Sequence, residues 1–92
     1  MLIYLCFLKA SPQIPKDETI STLLGNKEVI NCYSKDALYC VLLDPHKNVH
    51  TSGKNCTAEL TNVRMKDVGV WNCQTSLPGK AEMVVTNFII KG

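Results

Sequence analysis

The stretch Asp44-Pro-His46-Lys-Asn-Val-His50 carries the side chains most able to do chemistry, because a carboxylate and two imidazoles are the donors that bind zinc or move protons. Histidines four apart share a face only on a helix, and Pro45 in a turn-rich context opposes a helix there. Ligands on such a loop have neither a shaped cavity nor outer hydrogen bonds to orient them, so solvated loop residues are the expected reading. A metal-binding protein using His46 and His50 is the outlying alternative. Nucleophilic catalysis finds less support. The chain has no Gly-x-Ser-x-Gly motif and no pair of carboxylates in an apolar setting. The expectation is a non-enzyme with no cofactor and no metal.

Cysteine chemistry is the stronger signal. Five cysteines in 92 residues, four of them within or beside β-rich runs, read as disulfides formed in an oxidising compartment, which places the folded part outside the cell. A chain of this length is one domain with a small core, for which covalent staples matter. The odd cysteine is Cys6, inside the apolar run Leu2–Leu8, which is too short to span a bilayer but suits the apolar part of a secretory leader. Residues 1–11 are accordingly read as an imperfect or truncated signal peptide whose removal takes Cys6 with it. The alternative is an extra strand or plug, with Cys6 a free or intermolecular thiol. Asn55-Cys-Thr57 is an N-glycosylation acceptor by pattern, the other reading being an ordinary polar pair; its central cysteine sets glycosylation in competition with bridging. Net charge is +2 with the basic residues scattered, which gives no footprint for nucleic acid, and no run is long enough to cross a membrane.

The elements that must position these residues are strands. Residues 11–18 hold Pro12 and Pro15 and read as a linker or edge strand, followed by a short strand at 19–24 and a Gly25-Asn26 turn. Further strands are expected at about 28–34 and 37–43. If Cys40 points inward, so do Leu38 and Leu42, while Tyr39, Val41 and Leu43 point out. The dozen residues from Asp44 to Asn55 hold one short strand at most. Cys56, Ala58 and Leu60 share an inward face, and the strand they begin runs on to Val63. Asp67 to Gln74 alternates again, with Gly69, Trp71 and Cys73 inward and Val68, Val70, Asn72 and Gln74 outward. Pro78-Gly79 suits a type II turn, and Glu82–Lys91 returns as the last strand.

Asp67-Val-Gly69-Val-Trp71-Asn-Cys73, with Cys32 on an earlier strand, resembles the immunoglobulin-like domain over roughly residues 12–92. The resemblance implies an all-β immunoglobulin-like sandwich of about seven antiparallel strands in two sheets, of a compact constant-like or intermediate-like set. It implies a Cys32–Cys73 bridge, which leaves Cys40 to pair with Cys56 once Cys6 is set aside, and a basic partner for Asp67, with Arg64 and Lys66 both open. Two departures stand out. No tryptophan lies on the 37–43 strand, and Trp71 occupies the place of the usual tyrosine, whose hydroxyl ties the chain back on itself; an indole N–H could make a similar tie.

The resemblance also implies function: non-catalytic, extracellular protein–protein recognition or cell adhesion, as a fragment of a receptor or adhesion molecule. The alternative is a small secreted factor such as an immune effector, decoy or venom component. The expected contact surface is the outer face of the strands the family letters C, F and G, where Tyr39, Val41, Leu43, Val68 and Val70 are joined by Val84 or Val85 to form an apolar patch. The partner is another extracellular protein or a second copy of the chain. The bland alternatives are a shifted strand phase or cover from the N-terminal segment.

Overall fold

The expected alternation of buried and exposed residues recurs along four of the strands in the computed structural model, which describes residues 16–92. The residues read as a leader, Cys6 among them, and the first part of the segment read as a linker or edge strand therefore lie outside the described residues. Among the described residues there are seven strands: β1 (Lys16–Ser21), β2 (Glu28–Asn31), β3 (Tyr39–Leu43), β4 (Val49–Gly53), β5 (Thr57–Leu60), β6 (Gly69–Ser76) and β7 (Val84–Lys91), with a 3-10 turn at Met65–Asp67 before β6. They form a five-stranded sheet in the order β1-β7-β6-β3-β4 and a two-stranded sheet of β2 and β5, an all-β arrangement consistent with a β-sandwich. The expectation of purely antiparallel strands needs one correction. β1 runs parallel to β7, with Lys16 beside Thr86 and Ser21 beside Lys91.

The core lies between the sheets, and alternation decides who reaches it. Trp71, Cys73 and Thr75 of β6, Cys40 and Leu42 of β3, Phe88 and Ile90 of β7, Ile30 of β2, and Ala58 and Leu60 of β5 are all buried. Complete burial of a residue such as Leu42 or Ile90 contributes about 1.5–3 kcal/mol. Cys32, just past β2, bridges Cys73 of β6, and Cys40 of β3 bridges Cys56, just before β5, with Cα separations of 5.7 and 6.2 Å. Both bridges join the small sheet to the large one. They sit side by side, since the Cys32 amide donates to the Cys56 carbonyl at 2.8 Å while Leu42, two residues from Cys40, is paired with Cys73. Intramolecular bridges of this kind are characteristic of chains folded in an oxidising compartment.

Several boundaries differ from expectation for identifiable reasons. The first strand covers Lys16–Ser21, and Leu23 and Leu24 are exposed in the turn that follows. Its extent is set by the ladder that β7 offers along its whole length, which local hydrophobicity does not report. Leu38 is 59% exposed, although alternation with Cys40 pointed it inward. β3 begins only at Tyr39, after a turn in which the Ala37 amide reaches the Ser34 carbonyl, so strand alternation does not extend to Leu38. β2 stops at Asn31, and β5 at Leu60, although Val63 beyond it is buried. Asp67 falls in the 3-10 turn and not on the strand. The Leu77–Lys80 turn forms as expected, with the Lys80 amide 3.2 Å from the Leu77 carbonyl and Gly79 at φ +77°, which a type II turn requires; β7 then starts at Val84.

Candidate functional site

Two places gather side chains that could act: a cleft at one end of the sandwich and the outer face of the large sheet.

The cleft collects the residues with chemical potential. Asp44 Oδ1 accepts the amides of His46 and Asn48, each at 2.9 Å, and the Asp44 amide donates to the Asn48 carbonyl at 2.9 Å. The carboxylate thus shapes its own loop, as aspartate commonly does in turns. His46 is exposed. Across the β3–β4 pairing, Leu43 faces Val49 and Leu42 faces Thr51, which leaves His50 as the extra residue of a bulge. That bulge turns the imidazole edge-on to the buried Trp71, with ring centroids 5.2 Å apart at 73°. His46 and His50 are both exposed and line the same cleft, and His50 alone of the two stacks edge-on against the tryptophan. Among the described residues no group of three or more His, Cys, Asp or Glu side chains is arranged to hold a metal ion.

Asp67 forms the opposite wall. Its Oδ2 accepts the Arg64 amide at 3.0 Å and its own amide donates to the Arg64 carbonyl at 2.9 Å. The expected basic side chain is replaced by Arg64's backbone. The Trp71 indole N–H donates to the Asp67 carbonyl at 2.9 Å, so the tryptophan ties the start of β6 to the turn before it. Gly69 lies between them at φ +135°, and a Cβ there would stand 3.0 Å from the Pro45 side chain. Asp67, Gly69 and Trp71 are therefore a structural unit that locks the β3–β4 loop against β6. The open cleft beside them, about 400 Å³, sets Asp44, Glu59 and Asp67 against Arg64 and Lys66. Such mixed charge makes no single-sign field and selects no ligand class.

The outer sheet face is the better candidate, and register defines it. Tyr39, Val41 and Leu43 of β3 and Val70 of β6 all point outward, as expected. On β7 the pairing of Gln74 with Val85 and of Thr75 with Val84 puts Val85 on this face and Val84 on the inner one. The same pairing sets Ile89 beside Val70, and β4 sets Val49, 62% exposed, beside Leu43. Val49 and Ile89 went unrecognised in the sequence because alternation alone does not say which strands are neighbours.

The expected apolar patch is not continuous. Gln74 Nε2 donates to Asn72 Oδ1 at 2.7 Å, Asn72 Nδ2 to Asn87 Oδ1 at 2.8 Å, and Asn87 Nδ2 to Asp17 Oδ1 at 3.1 Å. This amide ladder crosses β6, β7 and β1. It separates one apolar group, Val41, Leu43 and Val49, from another, Val70 and Ile89, and Tyr39 lies at the far end beside Ser76. Val70 is 48% exposed and Val49 62%, so each apolar group is accessible on its side of a fixed polar line. The arrangement can offer both dispersion contact and oriented hydrogen-bond partners, the mixture found at recognition surfaces.

Asn55, on the link into β5, and Thr57, the first residue of β5, are exposed and flank the buried Cys56, and the Thr57 hydroxyl lies 3.4 Å from Asn55 Oδ1. No helix among the described residues is long and apolar enough to cross a membrane. No protein-family model matches the chain, and no curated protein matches it.

Proposed function

We propose that this chain is an immunoglobulin-like, extracellular module that recognises another protein, or a second copy of itself, through the outer face of its five-stranded sheet. The observation that carries the reading is the pair of accessible apolar groups, Val41–Leu43–Val49 and Val70–Ile89, flanking a hydrogen-bonded amide ladder. Support for the family comes from the bridge between Cys32, just past β2, and Cys73 of β6 across two facing sheets, and from the aspartate–glycine–tryptophan–cysteine run that leads from the 3-10 turn into β6, both of which resemble the immunoglobulin-like pattern. Two bridges favour an extracellular setting. Mechanistically, a doubly bridged scaffold loses little conformational freedom on binding, which leaves more of the contact energy for affinity.

The test compares the unmodified protein with Val41→Glu and Val70→Lys, by sedimentation across concentration for self-association and by binding to a panel of extracellular ectodomains. Loss of association in both variants, with the denaturation midpoint unchanged, supports the reading. Association that survives both substitutions overturns the assignment of this face.

A further inference from the structure

We infer that Asn55 is an N-glycosylation site whose occupancy is decided by a race between glycan transfer and closure of the Cys40–Cys56 bridge. The inference rests on the extracellular reading above. Asn55-Cys-Thr57 is the only Asn-x-Ser/Thr run in the sequence, so one attachment point is at issue.

The folded chain treats the product and the reaction differently. Asn55 and Thr57 are both exposed, so a glycan on Asn55 Nδ2 would leave from the surface of the native chain. Cys56 between them is wholly buried, bridged to Cys40, and its carbonyl accepts the Cys32 amide at 2.8 Å. Thr57 is paired with Asn31 in the ladder of the small sheet. A transferase must grip asparagine and threonine together, which here means drawing Cys56 out of the core and peeling β5 from β2. Once the bridge closes, that route is barred by a covalent bond. Before it closes, the segment is free.

Both competing steps balance with reagents of the secretory compartment. In transfer, Asn55 Nδ2 forms a bond to the anomeric carbon of a lipid-pyrophosphate-linked oligosaccharide, the bond from that carbon to the pyrophosphate oxygen breaks, and one amide proton leaves. In closure, the Cys40 and Cys56 thiols lose two protons and give two electrons to a thiol–disulfide oxidant. A glycan at Asn55 would stand just before the start of β5, two residues ahead of the Thr57–Asn31 pair, with the outer face of the small sheet, where Val29 is 52% exposed opposite Glu59, further along the strand. It is rooted on the other sheet from the proposed recognition face.

The experiment expresses the full chain behind a secretory leader in a eukaryotic host and reads the mobility shift removed by an N-glycosidase. The expected result is a mixture of shifted and unshifted protein, with the shifted share rising when cells are pulsed with dithiothreitol and in Cys40→Ser, which leaves the acceptor intact. Asn55→Gln should abolish the shift in every condition. The readout is taken from whole lysate, so a variant that misfolds still reports. Full occupancy of the unmodified protein regardless of reductant overturns the race, and no shift under any condition overturns the site. Neither outcome touches the sheet-face reading, which is measured separately on Asn55→Gln protein.

Discussion

At the residue scale, Trp71 does the work of two side chains. It is buried in the core beside the cleft, edge-on to His50, and its indole N–H closes the turn before β6 by bonding to the Asp67 carbonyl. Trp71→Phe keeps most of the packing but leaves that carbonyl unpaired, so chemical denaturation should show a loss of about 1–3 kcal/mol. Trp71→Ala removes the ring as well and should cost about 3–5 kcal/mol. Gly69 is the second sensitive position, because its positive φ and the nearness of Pro45 act together. Gly69→Ala is expected to lower stability by on the order of 1–3 kcal/mol and to shift the Asp44–Asn48 loop resonances in an NMR spectrum.

At the element scale, the outer sheet face is defined by pairing. β3, β6 and β7 each contribute alternating outward residues, and the amide ladder from Gln74 to Asp17 reaches β1, itself paired with β7, while keeping the apolar groups apart. Replacing its centre by the double change Asn72→Val and Asn87→Val should merge Val41, Leu43, Val49, Val70 and Ile89 into one apolar surface. Contiguous apolar patches drive association. Sedimentation of that variant should therefore show self-association at lower concentration than the unmodified protein, with strand content by circular dichroism unchanged. An unaltered sedimentation profile would mean that the ladder does not limit contact through this face.

At the scale of the whole molecule, the two bridges stitch a two-stranded sheet that offers little area of its own onto a five-stranded one. Their sequence separations of 41 and 16 residues correspond, on a chain-entropy estimate, to roughly 4 and 3 kcal/mol. Removing Cys40 and Cys56 together as alanines should lower the free energy of unfolding, read by chemical denaturation, by about the smaller amount, and removing Cys32 and Cys73 by about the larger. For a domain of this size either loss is a large share of the total stability. Full reduction should unfold the protein near physiological temperature, observed as loss of tryptophan burial by fluorescence.

Composition, cysteine placement and the alternation around Cys40, Cys56 and Cys73 by themselves determined the all-β class, most of the inward and outward assignments and the turn at Pro78-Gly79, because these follow from local side-chain periodicity and backbone preference. Only the tertiary structure decided that β1 lies parallel to β7, that Leu38 is exposed, that Asp67 is held by the Arg64 backbone, and that an amide ladder divides the outer face. The exposure of Leu38 and the hold on Asp67 follow from turns that end just before β3 and β6, whose bounds side-chain periodicity does not fix. The parallel pairing and the ladder depend on which distant segment lies alongside, and that is set by the register between strands, which a strand's own sequence does not encode.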